Sequence, residues 1–478
     1  MNILAIDQGT TSTRALVVEP SGSHRIVKAI EHKQHYPAHG WVEHNPEELI
    51  QNIQICIDAG CKNSSSNIAA IGLDNQGESC LAWNADTKQA VSPVIVWQDN
   101  RTQATIDKLI AEGRQDWVLD KAGLPLDSYF SASKLAWILE NIPEAKTLQQ
   151  QGKLRLGTTD AFFLDRLTNH FVTDITTASR TSLMNLNTGQ WDEELCKLFA
   201  VPIESLPEIV ATTGNFGTIT SNGKEIPVTA SVVDQQAALF GHGCRNAGDA
   251  KITFGTGAFA LVVTGDRLLK SPEQGLLPTV AWQLQNSTPV YALDGGVYSA
   301  GSAINWAKSL GLFKNFAQIN QFSQSTAIER GLVFVPALSG LGCPHWDRRA
   351  GGLWLGLSLN TEPADMMQSI LEGIAFRAAE VITAMDLITP IGDKISIDGG
   401  VSLNPYFGQF LANVLNRQVA VKPFTELTAM GTARLAGQNI QATDIITGSS
   451  QCYSPKAINS YLTDKFTDAV SRAKNWHI

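Results

Sequence analysis

The strongest constraint on the fold is a short pattern that occurs twice in the chain. The sequence DQGTTSTRALVV covers residues 7–18, and FGTGAFALVV covers residues 254–263. In both, a small turn containing glycine and threonine leads into an aliphatic run, and in the first copy the aliphatic NILAI also precedes the turn. Aliphatic runs joined by a short polar turn predict a β-hairpin. Two copies, roughly half a chain apart, predict two related domains.

Turns of this composition are suited to binding phosphate. Glycine and short hydroxyl side chains leave backbone N–H groups exposed, so the main chain can approach phosphate oxygens closely. One such hairpin is an ordinary turn, but a matched pair predicts a nucleoside triphosphate held by both domains. Other nucleotide motifs fit poorly: no G-x-x-x-x-G-K-[ST] is present, and GTGAFA leads into a strand-like run instead of a helix.

The rest of the chain alternates strands and helices. Alternation of this kind predicts an α/β architecture with sheets covered on both faces. One helix is expected to begin after the cap residue Asn45, with Pro46 in its first position. Because 478 residues suit two or three domains and the pattern restarts after a polar stretch, we expect domains over 1–245 and 246–478. Further helices are expected over about 102–112, 131–140, 160–167, 192–200 and 363–385.

Composition excludes several functions. The formal net charge of −9 and the lack of a Lys/Arg stripe argue against a nucleic-acid partner. The sequence has no signal-peptide pattern and no apolar run of membrane-spanning length, which predicts a cytoplasmic protein without a membrane partner. The seven scattered cysteines include no C-x-x-C pair and are expected to be buried and reduced. Four histidines at 32, 35, 39 and 44 do not match metal-ligand spacing and predict a loop and strand.

Several long segments, in order along the chain, carry a resemblance to a known family. They are DQGTTSTRA, YPAHGWVEHNPEE, VIVWQDNRT, DSYFSASKLAWIL, ASRTSLMNLNTGQWD, DQQAALFG, FGTGAFALVVTG, FVPALSGLGCPHWD and DGGVSLNPYFGQFLANVL. Over nearly all of residues 1–440 the chain resembles the FGGY carbohydrate kinases and, within them, the glycerol kinases. The resemblance implies two duplicated actin/hexokinase-like (ribonuclease H-like) ATPase domains around a central cleft. It also implies ATP and Mg²⁺ as cofactors and a hydroxyl of glycerol or a related polyol or sugar as the phosphoryl acceptor.

The resemblance also assigns roles to individual residues. Asp234 matches the catalytic base, and Asp7 matches the carboxylate on the magnesium side, acting through water. The first domain, 1–245, then carries the acceptor site and the first phosphate hairpin, and the second, 246–478, binds the nucleotide. The positions matching nucleotide contacts are Thr10, Thr11, Arg14, Gly255, Thr256, Gly301, Asn305, Gly400 and Asn404. At Asn305 the glycerol kinases usually have glutamine, and both side chains offer an amide.

The acceptor site departs from the family pattern at one position. Positions matching substrate contacts are Glu78, Tyr129, Asp234, Gln235 and Phe259. Gly77, however, stands where glycerol kinases have arginine. Loss of a guanidinium removes hydrogen bonds to a small triol and leaves space for a larger ligand. Two alternatives follow: a glycerol kinase with rebuilt acceptor contacts, or a relative acting on a longer polyol or a ketose, toward which the substitution leans.

Rival functions use the same hairpins. An actin-like or chaperone-type ATPase would explain both turns but not Glu78, Tyr129, Asp234 and Phe259 occurring together. A pseudokinase that binds sugar without transfer is disfavoured because Asp7 and Asp234 are both present. Homodimers and homotetramers are compatible with the sequence, which does not fix the oligomeric state.

Overall fold

A computed structural model describes residues 1–64, 67–422, 424, 426–438 and 450–477. By contacts the chain divides into two units. Unit 1 contains the described residues of 1–243, 279–291 and 426–438, and unit 2 contains those of 244–278, 292–424 and 450–477. The predicted boundary at 245/246, with its division of roles, stays a prediction.

The strands form one large sheet in each unit and several small ones. Strand order is β13-β14-β5-β1-β2-β3 in the first large sheet and β17-β18-β16-β15-β21-β22-β23 in the second. The smaller sheets are β4-β7-β6-β8, β9-β12, β10-β11 and β19-β20. In chain order the described strands are β1 (Asn2–Gln8), β2 (Ser12–Val18), β3 (His24–Glu31), β4 (Glu43–His44), β5 (Ile68–Asn75), β6 (Cys80–Asn84), β7 (Val94–Ile95), β8 (Leu154–Thr158), β9 (Val172–Asp174), β10 (Met184–Asn185), β11 (Gln190–Trp191), β12 (Glu208–Val210), β13 (Thr218–Ser221), β14 (Lys224–Val233), β15 (Ala250–Phe254), β16 (Ala258–Gly265), β17 (Leu277–Trp282), β18 (Val290–Val297), β19 (Val333–Val335), β20 (Leu353–Leu355), β21 (Lys394–Asp398), β22 (Gln418–Val421) and β23 (Gln451–Tyr453).

The helices lie between these strands and confirm the predicted α/β alternation. The described helices are α1 (Pro46–Asn63), α2 (Gln103–Ala111), α3 (Gln115–Ala122), α4 (Ser131–Asn141), α5 (Pro143–Gln150), α6 (Thr159–Thr168), α7 (Ile175–Ala178), α8 (Glu193–Leu198), α9 (Asp234–Gly241), α10 (Gly301–Ser309), α11 (Pro363–Asp386), α12 (Pro405–Leu415), α13 (Leu427–Gly437) and α14 (Tyr461–Ala473). Short 3₁₀ turns occur at Ile203–Ser205, Pro272–Gln274, Phe316–Ile319 and Gly400–Leu403. Among the described helices, none is both long and apolar enough to cross a membrane.

Both predicted hairpins are present, and each belongs to the same arrangement of strands. In unit 1, β1 pairs antiparallel with β2 and parallel with β5. In unit 2, β15 pairs antiparallel with β16 and parallel with β21. A second parallel strand follows in each sheet, β14 beside β5 and β22 beside β21. The repeated turn therefore reflects a repeated topology, as the sequence pattern predicts.

Helix α1 shows how local sequence signals specify these elements. The Asn45 side chain accepts a hydrogen bond from the backbone of Glu47 at 2.9 Å, and Pro46 occupies the first turn, as predicted. Leu49, Ile53 and Ile57 recur at helical spacing and are fully buried. They join Leu4, Val17 and Trp83 in the core of unit 1, which lies between the sheet and its helices.

Helix α13 is far from unit 1 in sequence but packs within it. It contacts β1, β5 and helix α9. The crossing with α9 is made of glycines: a Cβ atom on Gly431 would lie against the carbonyl of Ala237, and one on Gly241 against the carbonyl of Leu427. Backbone therefore meets backbone at this crossing, which only glycine permits.

Cysteine burial was predicted only in part. All seven cysteines are free, as expected, and five of them are buried. The prediction was wrong for Cys61, which is half-buried at the end of α1, and for Cys452, which is exposed on β23. Composition alone could not show that these two positions fall at the margin of a helix and on a peripheral strand.

Candidate active site

Three carboxylates lie at the carboxyl ends of adjacent parallel strands in unit 1. Asp7 of β1 and Asp74 of β5 are register partners, and Asp234 follows the last residue of β14 as the first residue of α9. Carboxyl ends of parallel strands are where α/β sheets bind ligands. Asp234 is half-buried, and its Oδ1 accepts a hydrogen bond from the backbone of Gln235 at 2.7 Å. The fold therefore brings two of the predicted residues, Asp7 and Asp234, to one edge.

Asp74 is a member of this group that sequence reasoning missed. Thr432 of α13 donates a hydrogen bond to Asp74 Oδ2 at 2.6 Å, while Oδ1 is buried with no hydrogen-bond partner. Burial, together with the charge of Asp7, raises the pKa of Asp74 well above its usual range. Burial also raises the pKa of Asp7, while a side-chain hydrogen bond with Asp74 and the positive charge of Arg14 lower it. An available signal was the parallel between NILAIDQG and IAAIGLDNQG, each an aliphatic strand ending in aspartate.

The first turn, residues 9–11, is held by side chains from elsewhere in unit 1. The indole N–H of Trp97 donates to Thr10 Oγ1 at 3.0 Å, and the His32 ring contacts the carbonyl of Thr10 at 2.9 Å. Thr11 is exposed, and Thr10 is half-buried. Arg14 pairs with Glu426 at 2.6 Å and keeps 39% of its side chain exposed. Trp97 was not predicted as a site residue, although VIVWQDNRT, which contains it, is one of the segments that carry the family resemblance.

Glu78 and Tyr129 come together in a second cluster of unit 1. Glu78 is buried, with a left-handed backbone (φ 59°), and Ser131 at the start of α4 donates to its carbonyl at 2.9 Å. Strained backbone of this kind concentrates at functional sites. Arg180, which sequence reasoning missed as a site residue, donates from Nε to Glu78 Oε1 at 2.6 Å. The guanidinium carbon of Arg180 lies 6.0 Å from the Tyr129 ring centroid.

A buried lysine fixes the Tyr129 loop. Lys134 on α4 donates from Nζ to the carbonyl of Tyr129 at 2.6 Å and to that of Trp97 at 3.4 Å. Burial lowers the pKa of Lys134 to about 8. Trp97 and Tyr129 also meet edge to face, with ring centroids 5.5 Å apart. One side chain thus ties together the loops of two aromatic residues beside Glu78.

The position that a Cβ atom would take on Gly77 is occupied by a neighbouring side chain. A Cβ atom at position 77 would lie 2.7 Å from Cγ2 of Val233, the residue that precedes Asp234. The Cβ position is therefore filled by a neighbouring side chain, and the expectation that loss of the guanidinium leaves room for a larger ligand stays a prediction. Gln235 is half-buried on α9. Phe259, the remaining predicted acceptor residue, belongs to unit 2, where it is half-buried on β16.

The predicted nucleotide residues of the second half lie together in unit 2. They line one cavity of about 550 Å³: Gly255, Thr256, Gly301, Asn305, Gly400 and Asn404. Apolar side chains complete its wall, including Ile304, Phe316 and Leu403. A cavity of this size, mainly apolar with a few polar groups, fits a nucleoside. The individual nucleotide contacts stay predictions.

Backbone packing explains two of these positions. The N–H of Gly301 donates to the carbonyl of Gly255 at 3.0 Å, and those of Ala300 and Ser302 donate to the carbonyl of Thr256. A Cβ on Gly301 would collide with the Gly255 carbonyl. The start of α10 is thereby fixed against the second turn, residues 255–257.

The amide of Asn404 already has structural partners. Its Oδ1 accepts from the backbone of Phe407 at 2.8 Å and caps α12, and its Nδ2 donates to the carbonyl of Ile319 at 2.8 Å. Asn404 therefore positions two walls of the cavity whatever else it contacts.

A buried glutamate contacts the first turn of α12, the helix that Asn404 caps. Both carboxylate oxygens of Glu372 on α11 accept backbone N–H groups, from Ala327 and Ile328, and the Tyr406 hydroxyl donates to Oε1 at 2.5 Å. Tyr406 is the second residue of α12 and lies in its first turn, two residues after the cap residue Asn404. Burial raises the pKa of Glu372 from 4.5 to about 7.

This shift predicts a pH-dependent stability. Between pH 4.5 and about 7, the folded chain keeps a proton on Glu372 that the unfolded chain has released. The free energy of unfolding should therefore fall as the pH rises through that interval. For this group alone the fall should be about 3 kcal/mol. In Glu372→Gln it should be absent, so thermal melts at about pH 5 and about pH 8 should show the wild type losing more stability than the variant. Glu329→Gln, at an exposed position, is the control, and parallel profiles for wild type and Glu372→Gln would contradict the prediction.

Comparison with known proteins places this architecture in a family. The model of the N-terminal domain of the FGGY family of carbohydrate kinases matches residues 2–241, and the model of its C-terminal domain matches residues 250–439. The chain belongs to this family and is a phosphotransferase, which confirms the resemblance and its predicted fold.

Relatives with curated names and solved structures agree. The chain is 40% identical over 444 residues to glycerol kinase of Burkholderia multivorans, covering 91% of this chain and 88% of that protein. It is 40% identical over 453 residues to glycerol kinase of Haloferax volcanii, covering 91% and 88%. The structure of Plasmodium falciparum glycerol kinase with ADP superposes with a TM-score of 0.91 at 32% identity, covering 99% of this chain and 98% of that one.

Proposed function

We propose that this chain transfers the γ-phosphoryl group of ATP to a hydroxyl of a small polyol, with glycerol as the first acceptor to test. The observation that carries the proposal is the position of Asp234 at the edge where three parallel strands end. The Glu78 cluster adjoins that edge, because Val233 packs beside Gly77 and immediately precedes Asp234. Glycerol kinases at 40% identity over nearly the whole chain support the acceptor class.

The proposed mechanism uses Asp234, the Glu78 cluster, the cavity of unit 2 and the two turns. The carboxylate of Asp234 accepts the proton of the acceptor hydroxyl while that oxygen attacks the γ-phosphorus, and ADP leaves. Glu78, Tyr129 and Gln235 bind and orient the acceptor hydroxyls. The cavity lined by Gly301 and Gly400 holds the nucleoside. Thr10 and Thr11 of the first turn, Arg14 of β2, and Gly255 and Thr256 of the second turn contact phosphate oxygens.

The carboxylates suit a magnesium ion. Mg²⁺ prefers oxygen ligands and keeps much of its water, and Asp74 Oδ1 is a buried carboxylate oxygen without a hydrogen-bond partner. Asp7 and Asp74, with Asp234, are the residues that would hold the ion. When bound, Mg²⁺ would offset phosphate charge. Among the residues the structure describes, no group of three or more histidine, cysteine, aspartate or glutamate side chains is arranged to hold a metal ion directly, so in this proposal the carboxylates contact the ion partly through water.

A second acceptor class has one observation in its favour. Position 77 is glycine where glycerol kinases have arginine, and this difference favours a longer polyol or a ketose as the acceptor. The test is a coupled ADP-release screen with glycerol, tetritols, pentitols and ketoses. We expect ADP release that depends on the acceptor and is fastest with a small polyol. Release independent of any acceptor, accompanied by filaments, would instead indicate an actin-like ATPase.

The nucleotide cavity allows a selective substitution. A side chain added at Gly400 would meet nothing within 4 Å and needs no left-handed backbone, so Gly400→Leu should fold normally and project into the cavity. We expect the KM for ATP to rise roughly 10-fold or more because the side chain competes with the nucleoside for space. The melting temperature and the acceptor KM should change little. Gly214→Leu, at another open glycine, is the control, and an unchanged KM for ATP would contradict the assignment of the cavity.

A further inference from the structure

We propose that Arg180 is a positioning residue that sets acceptor binding by holding Glu78. The inference rests on the proposed function and deepens it. This chain has glycine instead of arginine next to Glu78 in sequence, and the guanidinium that reaches Glu78 comes from the motif ASRTSL, about 100 residues further along the chain.

The ion pair is buried on both sides. Arg180 Nε lies 2.6 Å from Glu78 Oε1, and only 7% and 6% of the two side chains are exposed. Charge-assisted hydrogen bonds shielded from water are strong and directional. The guanidinium carbon also lies 5.5 Å from the Phe130 ring centroid, so the arginine is restrained by aromatic side chains as well as by charge.

The backbone holds both partners of the pair from one place. Ser131, the first residue of α4, donates to the Glu78 carbonyl, and the backbone of Ala132 donates to the carbonyl of Thr181 at 2.9 Å. Thr181 directly follows Arg180, and Tyr129 lies two residues before Ser131. The first turn of α4 thus sets Glu78, Arg180 and Tyr129 relative to one another. An arrangement fixed this way is suited to reading hydroxyl positions.

The site is built around glycine at position 77. Because a Cβ at position 77 would press on a methyl group of Val233, a side chain there requires Val233 to shift or to be replaced by a smaller residue. A simple Gly77→Arg substitution would therefore combine a new guanidinium with crowding beside Asp234. Gly77→Arg/Val233→Ala separates the two effects.

The test measures KM for glycerol and KM for ATP in a set of variants. Arg180→Met should raise the glycerol KM roughly 10- to 100-fold, the range for a hydrogen bond to a charged group, while the ATP KM stays within about twofold. Arg180→Lys keeps the charge but not the planar fork and should be intermediate. Arg166→Met, which breaks the partly exposed pair with Glu47 elsewhere in unit 1, is the control and should leave both constants unchanged.

Two further variants keep the test decisive if Arg180→Met folds poorly. Glu78→Gln/Arg180→Met removes both buried charges, and its glycerol KM should be no higher than that of Glu78→Gln alone, because the two residues act as a unit. Gly77→Arg/Val233→Ala/Arg180→Met returns a guanidinium to the site from position 77 and should recover at least part of the loss. Independent, multiplicative effects of the two single substitutions would overturn the proposal.

The outcomes separate this inference from the proposed function. Equal rises in the glycerol and ATP constants of Arg180→Met, or a glycerol KM within twofold of the wild type, would overturn the role of Arg180 while leaving the kinase activity in place. If the wild type releases no ADP with any polyol, the proposed function fails. Calorimetric titration of glycerol without ATP then decides about Arg180: binding that Arg180→Met abolishes supports it, and binding that persists, or no binding to the wild type, overturns it.

Discussion

Asp234→Asn should lower the turnover number by roughly 10²- to 10⁴-fold, the usual contribution of a positioned general base. Asparagine has nearly the shape of aspartate and can still accept the hydrogen bond from Gln235 at the start of α9. It cannot take a proton from the acceptor. The expected loss therefore lies in the transfer step and not in folding.

The kinetic constants test this interpretation. The KM for ATP should stay within about threefold, because the nucleoside cavity is lined by residues of unit 2 and not by Asp234. Asp107→Asn, at an exposed position on α2, is the matched control and should behave as the wild type. Near-normal turnover of Asp234→Asn would remove Asp234 as the base and leave it as a residue that begins a helix.

Gly431→Ala should destabilise unit 1 by about 1–3 kcal/mol, even though alanine is the better helix former. In an exposed helix interior the same change would stabilise by roughly 1 kcal/mol. Here the added methyl group would press on the carbonyl of Ala237 and the backbone nitrogen of Gly241. Backbone atoms of a packed helix cannot move aside as a side chain can, so α9 and α13 must separate.

The same substitution should reduce activity, because both helices carry site residues. Helix α9 begins with Asp234, and Thr432, the neighbour of Gly431, donates to Asp74. Denaturant midpoints and turnover are measured together for Gly431→Ala and for Gly214→Ala, where an added Cβ meets nothing within 4 Å. A midpoint for Gly431→Ala equal to or above that of the wild type would contradict close packing at the crossing.

Local patterns in the sequence predicted much of the fold. The two hairpins and helices such as α1 depend on alternation, capping and turn residues within about 20 positions, which can be read directly. The grouping of α13 with unit 1 depends on contacts across some 200 to 400 residues, which no local pattern reports. Its signal is only an alanine- and glycine-rich stretch, TAMGTARLAG, that fits many helix crossings.

The candidate site was predicted unevenly for the same reason. Resemblance to a family supplied Asp7, Asp234 and the residues that line the cavity of unit 2, since these follow motifs in order. Arg180 was quoted within the motif ASRTSL, but its pairing with Glu78 depends on the fold of α4 and the loop before it. Likewise, the sequence could not show that Val233 lies against the Cβ position of Gly77.

The return of the chain to unit 1 at α13 affects how the enzyme can be dissected. A fragment ending at residue 243 would leave β1, β5 and α9 without the helix that covers them, and apolar side chains that pack there would face water. Expression of unit 1 alone would therefore need residues 426–438, as well as 279–291, joined by linkers or supplied as peptides. Chain order is a poor guide to where this protein can be cut.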